Sequence, residues 1–449
     1  MEELASILVC AGCGTEVAAD EPLPFRCRVA RDGDDIDHVL RRRLGGGVGF
    51  ADEDDEPNPF VRFRERFHAY HVARANGVSD AEYVELVRSL DRMIARVAGT
   101  GFVETPFGRS DELSSALGFS SGGGIWVKDE TENVSGSHKG RHLMGVLIWL
   151  AVAERVGLLA RDGRRLAIAS CGNAAVAAAV EARAADRPLD VYVPTWADPT
   201  IVADLERLNA RIHVVPREDG EMGDPTYRRL HDAVRDGAIP FTCQGGDNGL
   251  AVEGGCTLGY EIAGALRRSR SALDRIVVQV GGGALASAVS QGLREAVEGG
   301  ILERMPALDT VQTEGVHPLE RAYERVASLV PAGAGDGGAV AAAVTTAAHR
   351  RSDFMWPWEE EPKSVATGIL DDETYDWAAV VEGMLRSGGT PVVVTEELLE
   401  EANALARETT GIDVDHTGSA GLAGVLALLR GGTIRRDDRI GVLFTGIRR

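Results

Sequence analysis

From residue 100 onward, short apolar runs alternate along the chain with longer segments whose apolar residues recur at helical spacing. The runs at 125–127, 166–169 and 276–280 have the length and composition of buried strands, and helical patterns cover 140–156 and 174–185. Repeated strand–helix units are typical of α/β proteins with mostly parallel sheets, so we predict this fold class. The same criteria predict further strands at 191–193, 212–215, 311–313, 391–394 and 440–444, and further helices at 199–208, 256–267, 396–409 and 418–430.

The first hundred residues follow different patterns. Aromatic residues at helical spacing, from Phe60 to Tyr70, predict helices over 58–98 and an aromatic stripe that packs in the core. Residues 45–57 have the glycine-rich and acidic composition of a loop. Far from this region, the glycine- and alanine-rich residues 331–350 are expected to form a mobile insertion.

Composition and charge disfavour some classes of binding partner and indicate the cellular compartment in which we expect the protein. Its 449 residues include 48 basic and 69 acidic residues, a net charge of −21, which disfavours binding to nucleic acid or to an anionic membrane. No apolar run is long enough to span a membrane and no signal peptide is evident, so we expect a cytoplasmic protein whose six cysteines stay reduced. Only three of the basic residues are lysines, Lys128, Lys139 and Lys363, which makes each of them a candidate for a specific role.

The segment from Asn133 to Arg141 places Lys139 at the start of the apolar helix predicted over 140–156. Small hydroxyl and glycine residues precede it, among them Ser137. At a helix N-terminus the dipole disfavours the charged form of an amine, and an uncharged amine is what Schiff-base chemistry requires. Lys139 is therefore the principal candidate for covalent catalysis, and the alternative is a surface lysine that precedes a helix.

Two other turns also join a predicted strand to a predicted helix. At residues 170–174, backbone N–H groups can bind a carboxylate, and the side-chain amide of Asn173 can donate to a phenolate-type oxygen. At residues 281–285, successive glycines allow backbone N–H groups to converge on a phosphate. The glycine run is not GxGxxG and lacks a suitably placed acidic residue beyond it, which disfavours a dinucleotide site.

Two single residues complete this set of candidates. Thr445 follows the strand predicted at 440–444, where its hydroxyl can face a ligand. Lys128 lies at the end of a predicted strand and is a candidate for binding an anionic leaving group such as phosphate. A paired surface charge is the alternative for Lys128.

The N-terminal head contains a candidate metal site. Cys10 and Cys13 form a CxxC pair, and Cys27 follows it. This pattern is half of a zinc ribbon, which needs four ligands, and Asp37 or His38 is the candidate for the fourth. The alternative is a small reduced knuckle that packs without metal.

Taken in order, these features resemble fold-type II pyridoxal-phosphate enzymes, and most of all the threonine synthases. The segment from Asn133 to Arg141 resembles the Asn-Pro-Thr-Gly-Ser-Phe-Lys-Asp-Arg of that family, with His138 in place of Phe and Gly140 in place of Asp. A histidine before the lysine is similar to tryptophan synthase β chains, and the glycine run is similar to that of amino-acid dehydratases. The resemblance covers residues 100–449 and, more loosely, 8–30.

The resemblance implies the domain organisation and the partners. It implies two α/β subdomains with mostly parallel sheets, and a small cysteine-bearing N-terminal extension. The knuckle and its linker cover 1–57, and the catalytic region covers 58–449, with a smaller subdomain at 128–250 and a larger one formed by 58–127 and 251–449. The implied cofactor is pyridoxal 5'-phosphate, with zinc as a further candidate in the knuckle. The expected substrate is a small amino acid, and a homodimer is expected.

The resemblance also implies a role for each candidate residue. Lys139 would form the Schiff base with the cofactor and then remove the α-proton of the substrate. Thr445 would face the ring nitrogen as a neutral group, which suits elimination better than transamination. The remaining roles are cofactor binding by Asn173, Gly281, Gly282, Gly283, Ala284 and Leu285, substrate binding by Ser137, Ser170, Cys171, Ala174 and Lys128, and metal binding by Cys10, Cys13 and Cys27.

Three functions are compatible with this pattern. The leading one is that of a threonine synthase-like lyase, which performs γ-elimination and adds water on a substrate such as O-phosphohomoserine. The second is β-elimination or β-replacement, as in serine and threonine dehydratases, diaminopropionate ammonia-lyases, or cysteine and tryptophan synthases; simple β-elimination requires no site for a substrate phosphate. The third is a catalytically silent regulatory module, which the intact lysine, asparagine and glycine run disfavour.

Overall fold

The computed structural model describes residues 5–31, 33–51, 55–218, 223–331 and 337–449. These residues form two compact units. The first unit contains the chain as far as Asp34, together with His38–Glu104 and Asn133–Thr257, and the second contains Asp35–Asp37, Thr105–Glu132 and Leu258–Arg449.

Twelve strands occur in the described residues, and most of them lie where the apolar runs predict. They are β1 (Ser6–Cys10), β2 (Leu40–Leu44), β3 (Phe107–Ser110), β4 (Gly124–Asp129), β5 (Leu166–Ala169), β6 (Leu189–Pro194), β7 (Arg211–Val215), β8 (Ile239–Pro240), β9 (Arg275–Gln279), β10 (Ala307–Thr313), β11 (Pro391–Val394) and β12 (Arg439–Phe444).

Fifteen α-helices connect and cover these strands in the same described ranges. They are α1 (Pro59–Arg62), α2 (His68–Ala75), α3 (Asp80–Ala98), α4 (Asp111–Ala116), α5 (Lys139–Arg155), α6 (Asn173–Ala184), α7 (Pro199–Arg207), α8 (Pro225–Arg235), α9 (Leu250–Arg268), α10 (Ala284–Glu298), α11 (Pro318–Ala327), α12 (Gly337–Ala348), α13 (Trp377–Ser387), α14 (Glu396–Thr410) and α15 (His416–Arg430).

The second unit is built on a six-stranded sheet with the order β11-β10-β9-β12-β4-β3. All neighbours in this sheet are parallel except β3, which pairs antiparallel with β4. The helix α15 lies close against it, because Gly421 and Gly424 present no side chain towards Val277 and Val311. The near-continuous apolar sequence of β9 fits a central parallel strand that is covered on both faces.

The first unit contains a four-stranded parallel sheet with the order β7-β6-β5-β8. The four residues of β5 are all buried, as the uninterrupted apolar run at 166–169 predicts. The chain then enters α6, which is rich in alanine. The predicted α/β class with mostly parallel sheets is therefore confirmed by these two sheets, while β1 and β2 form a small antiparallel sheet.

The helical region predicted at 58–98 forms α1, α2 and α3. Phe60 is fully buried and packs edge-on against the ring of Phe102, as expected for an aromatic core stripe. Ser79 begins α3 with a capping box, in which its hydroxyl accepts from the backbone N–H of Glu82. This region differs from the expected division of the chain, which grouped it with 251–449. The helices α2 and α3 instead pack against α5 and α6 and belong to the first unit.

Two further expectations meet the structure in part. The predicted mobile insertion at 331–350 contains the helix α12, which fits the high helix propensity of its alanines, while 332–336 lie outside the described residues. Residues 45–51 and 55–57 contain neither helix nor strand, as the loop composition predicts, and 52–54 lie outside the described residues. No helix within the described ranges combines the length and the apolar character that crossing a membrane requires.

Candidate active site

Lys139 is the first residue of α5, and its side chain is partly exposed. A short 3-10 turn over Val134–Gly136 precedes it, and both Ser135 and Gly136 adopt positive φ angles there, of 60° and 67°. Ser137 follows this turn with its hydroxyl buried and without a hydrogen-bond partner among the described residues. Leaving such a group unsatisfied costs about 1–3 kcal/mol, so this hydroxyl is suited to binding a ligand near Lys139.

Close packing fixes the position of α5. A Cβ atom on Gly254 would overlap the backbone carbonyl of Arg141, and one on Gly145 would come within 2.9 Å of the backbone nitrogen of Gly254. The buried guanidinium of Arg141 donates to the hydroxyl of Thr257 across 3.0 Å. The helices α5 and α9 therefore meet backbone to backbone, which holds Lys139 on a rigid element.

His142 lies one turn after Lys139 and is completely buried. Its Nδ1 lies 2.9 Å from the carbonyl oxygen of Ala251, to which it donates as Nδ1–H. Burial, helped by the nearby charge of Lys139, lowers the pKa of His142 to about 3. His142 is therefore neutral at physiological pH and adds no second positive charge beside the lysine.

Glu181, in α6, belongs to this region and is not among the candidates predicted from the sequence. Both of its carboxyl oxygens are buried without a hydrogen-bond partner among the described residues, and burial raises its pKa well above the usual range. Its Oε1 lies 3.3 Å from the position of a Cβ atom on Gly140, directly after Lys139. A buried carboxyl group, whose uncharged form is favoured by burial, thus lies close to the first turn of α5. The available signal was a single acidic residue on the apolar face of an alanine-rich helix.

The predicted carboxylate-binding turn at 170–174 connects β5 to α6, and all five of its residues are partly exposed. Asn173 is the first residue of α6, and the backbone N–H of Gly172 donates weakly to the Ser170 hydroxyl across 3.4 Å. The helices that Lys139 and Asn173 begin pack against each other in the first unit. The structure therefore places the lysine and this turn on neighbouring helices.

The glycine run at 281–285 connects β9 to α10 in the second unit, as predicted. Gly283 caps α10 with a φ of +95°, a conformation that favours glycine. A Cβ atom on Gly281 would overlap the carboxylate of Asp371, and one on Gly282 would lie 2.9 Å from the ring of Tyr375. The glycines are thus required by the close approach of a neighbouring segment, and phosphate binding at this turn stays a prediction.

Thr445 directly follows β12 and is buried. Its hydroxyl oxygen accepts a hydrogen bond from the side-chain amide of Gln279, at the end of the adjacent strand β9. Gln279 is not among the candidates that the sequence predicts, although a polar residue within the apolar run 276–280 was the available signal.

Lys128 occupies a different environment from the two that were considered for it. Its side chain is completely buried, and its Nζ lies 2.5 Å from a carboxyl oxygen of Glu261 and 2.7 Å from the carbonyl oxygen of Thr105. The alternative of a paired surface charge is therefore correct about the pairing of Lys128 and wrong about its location, because the pair is buried. Since these oxygens already bind the ammonium group, the geometry gives no support to a role for Lys128 as a phosphate ligand.

The four potential ligands in the head lie close together in the first unit. One ligand atom from each of Cys10, Cys13, Cys27 and His38 lies within 4.8 Å of all the others. Of the two candidates for the fourth ligand, His38 joins the cysteines, whereas a carboxyl oxygen of Asp37 lies 3.5 Å from Arg351.

Comparison with known proteins identifies the family. The sequence profile described as "Pyridoxal-phosphate dependent enzyme" matches residues 99–446, so the chain belongs to this family. Threonine synthase from Methanosarcina acetivorans is 27% identical over 350 residues, which cover 76% of this chain and 74% of that protein. A serine dehydratase-like protein from Rattus norvegicus is 29% identical over 224 residues, which cover 48% of this chain and 60% of that protein.

Solved structures confirm the fold. Diaminopropionate ammonia lyase from Escherichia coli matches with a TM-score of 0.58 at 17% identity, over 81% of this chain and 88% of that one. Maize serine racemase matches with a TM-score of 0.58 at 16% identity, over 81% of this chain and 92% of that one. The predicted fold-type II architecture, the resemblance to threonine synthases and the class of pyridoxal-phosphate-dependent lyases are confirmed.

Proposed function

We propose that the protein is a threonine synthase-like lyase, which acts on an amino acid such as O-phosphohomoserine by α-proton removal, elimination and addition of water. The placement of Lys139 carries this proposal. Lys139 is the first residue of a rigidly packed helix, and it is partly exposed. It lies two residues after Ser137, whose buried hydroxyl has no hydrogen-bond partner among the described residues. The relatives with which this chain aligns over 76% of its length include threonine synthases.

The residues of this chain fit pyridoxal phosphate. The hydroxyl of Ser137 is a buried polar group that lacks a partner among the described residues, and the turns at 170–174 and 281–285 each precede or begin a helix, where anions bind. The carboxylate of Asp371 packs against Gly281 and opposes a phosphate on that side of the turn. We therefore assign the phosphate to the N–H groups nearest the start of α10 and the covalent bond to Lys139.

The cofactor, when bound, supplies the electron sink that makes the α-proton of an amino acid acidic. In this assignment Nζ of Lys139 accepts that proton. His142 stays neutral, so it adds no positive charge next to the amine of Lys139. The N-terminus of α6 at Asn173 would bind the substrate carboxylate through backbone N–H groups, and Thr445 would offer a neutral hydroxyl to the ring nitrogen of the cofactor.

One observation favours the second candidate, simple β-elimination. A lyase that removes phosphate from its substrate needs a cationic group for the leaving phosphate, and Lys128 is already paired with Glu261 in the interior. A β-elimination on serine, threonine or diaminopropionate makes no such demand.

The test is to incubate the purified holoenzyme separately with O-phosphohomoserine, serine, threonine and diaminopropionate, and to identify the products by mass. The proposal expects threonine and inorganic phosphate from O-phosphohomoserine. Release of ammonia and a 2-oxo acid from one of the other substrates alone would replace it with β-elimination.

A second measurement tests the lysine. Borohydride reduction and peptide mapping should place the cofactor on Lys139, and the Lys139→Ala variant should fold normally and lose turnover. Cofactor on Lys128 or Lys363 would overturn the assignment.

A cytoplasmic location and a homodimer remain predictions.

A further inference from the structure

Three cysteines and one histidine of the N-terminal head converge on a common point. The Sγ atoms of Cys13 and Cys27 lie 3.6 Å apart, and Sγ of Cys10 lies 3.3 Å from Nδ1 of His38. In a tetrahedral zinc site, with Zn–S bonds of about 2.3 Å and Zn–N bonds of about 2.0 Å, neighbouring ligand atoms are about 3.5–3.8 Å apart. These two distances are close to those of a zinc coordination sphere, and all four ligand atoms lie within 4.8 Å of one another. The distance between the two Sγ atoms is too long for a disulfide bond.

We propose that Cys10, Cys13, Cys27 and His38 bind one structural zinc ion, with the spacing C-x2-C-x13-C-x10-H. Thiolate and imidazole ligands in a tetrahedral set select zinc over harder cations such as magnesium or calcium. All four positions are filled by protein atoms, which is the property of a structural site, because a catalytic zinc keeps one position open.

The surrounding groups are arranged as at a metal site. The backbone N–H of Cys13 points to Sγ of Cys10 at 3.5 Å, and Gly14 closes the knuckle with a φ of +72° in open space. Nε2 of His38 lies 3.2 Å from a carboxyl oxygen of Asp34. A carboxylate on one ring nitrogen holds its proton there and leaves the other nitrogen free to bind the metal. Asp34 is therefore a positioning residue for His38.

The proposed ion closes a loop that packs on the rest of the first unit. Within this loop, the carbonyl oxygen of Pro22 accepts from the indole N–H of Trp149 across 3.0 Å, and that of Phe25 accepts from the backbone N–H of Gly249 across 3.0 Å. Trp149 belongs to α5, the helix that Lys139 begins. The proposed zinc ion thus stabilises the packing of the head against the helix that begins with Lys139. No residue of the head takes part in the proposed reaction.

Metal analysis of the full-length protein, purified without a histidine tag or chelator, tests the proposal. We expect about one zinc per chain, released on titration of the thiols with a mercurial reagent. Reconstitution with Co²⁺ should give the intense visible absorption of tetrahedral cobalt–thiolate coordination. This second readout uses the unmodified sequence and does not depend on the folding of any variant. Zinc-free protein that also gives no such cobalt spectrum would overturn the proposal in favour of a reduced knuckle that packs without metal.

Matched variants identify the ligands. Cys13→Ala and His38→Ala should lose the zinc and lower the thermal midpoint, and Asp34→Asn should keep the site but weaken zinc binding by about 10- to 100-fold. Cys243→Ala removes a cysteine outside the head and should retain one zinc. Zinc retained at full affinity by the His38→Ala variant would refute the ligand set. Zinc bound by Lys139→Ala would show that this site and the proposed function stand or fall separately.

Discussion

The side-chain amide of Gln279 donates a hydrogen bond to the hydroxyl oxygen of Thr445 across 2.7 Å. Gln279 ends β9, and Thr445 directly follows the adjacent parallel strand β12. The same Nε2 also lies 2.8 Å from the carbonyl oxygen of Gly418. An amide nitrogen can only donate, so the oxygen of Thr445 is the acceptor and its proton is directed to a different group. In the proposed site that group is the ring nitrogen of the cofactor, which would accept this proton in its unprotonated form.

The first prediction replaces the donor of this hydrogen bond. Gln279→Glu keeps the shape of the side chain and offers an acceptor, which draws the proton of Thr445 away from the ring. We expect kcat for elimination to fall about tenfold, equivalent to ~1.4 kcal/mol, with little change in KM and a changed pH dependence of the cofactor absorption.

A neighbouring glutamine provides the control for this variant. Gln312, on β10, is also buried, and its side-chain oxygen accepts from the backbone N–H of Leu319. Gln312→Glu should cost comparable stability without shifting the pH dependence of the spectrum. If both variants changed only the free energy of unfolding and left the spectrum unchanged, Gln279 would be a structural residue with no effect on Thr445.

The sequence predicted those parts of the fold that depend on local pattern. Strands β5 and β9 could be located because a buried parallel strand is a continuous apolar run. The antiparallel pair of β1 and β2 could not be located, since the Leu-Arg-Arg-Arg-Leu of β2 shows no alternation of apolar and polar residues and its pairing with β1 joins residues thirty positions apart or more. The alanines of α12 were misjudged because the nearby glycines were given more weight than helix propensity.

Some residues of the candidate site could likewise be predicted from local sequence, and others could not. Lys139 could be found because lysine is scarce and a helix pattern begins there. Scarcity does not distinguish a ligand-binding lysine from a buried ion pair, and the partner of Lys128 is Glu261, which is 133 residues away. Likewise, the choice of His38 over Asp37 in the head depends on how the chain folds back on the cysteines, which spacing does not determine.

The second prediction concerns the buried pair of Lys128 and Glu261. Lys128→Met leaves Glu261 buried without its cation and should lower the free energy of unfolding by about 3–5 kcal/mol. Lys128→Met combined with Glu261→Gln removes both charges and should recover most of that loss. Urea unfolding of the two single variants and the double variant gives the interaction energy.

Steady-state kinetics of the same double variant separate structure from substrate binding. If Lys128 serves the fold alone, KM for a phosphorylated substrate stays close to that of the original enzyme. A large rise in this KM, with recovered stability, would show that Lys128 contacts the substrate phosphate after all.

The third prediction is an acid-dependent loss of stability that originates at His142. Burial first, and then the charge of Lys139, lower the pKa of His142 to about 3 in the folded protein, below its ordinary value of 6.5. The unfolded chain therefore binds a proton that the folded protein excludes. The contribution of His142 to stability is complete above pH ~6.5 and declines by about 1.4 kcal/mol per pH unit as the pH falls towards 3.

Replacement of this histidine isolates its contribution. His142→Asn preserves a side-chain N–H for the carbonyl oxygen of Ala251 and removes the titrating group. Between pH 7 and pH 5 the variant should lose about 2 kcal/mol less unfolding free energy than the original protein. His349→Asn, at an exposed position in the described chain, should leave the pH dependence unchanged. Equal slopes for His142→Asn and the original protein would contradict the assigned cause.

The last prediction tests whether Thr445 sets the type of reaction. A hydroxyl does not protonate a pyridine nitrogen, whereas a carboxylate stabilises the protonated ring and so strengthens the electron sink. Thr445→Asp should therefore lower the elimination turnover and increase the transamination side product, measured by mass analysis of the keto acid and of aminated cofactor. Thr445→Ser retains the acceptor for Gln279 and should be nearly silent. If Thr445→Asp left the products and spectra unchanged while the cofactor remained bound, Thr445 would not be the partner of the ring nitrogen, because a carboxylate at that position must alter ring protonation.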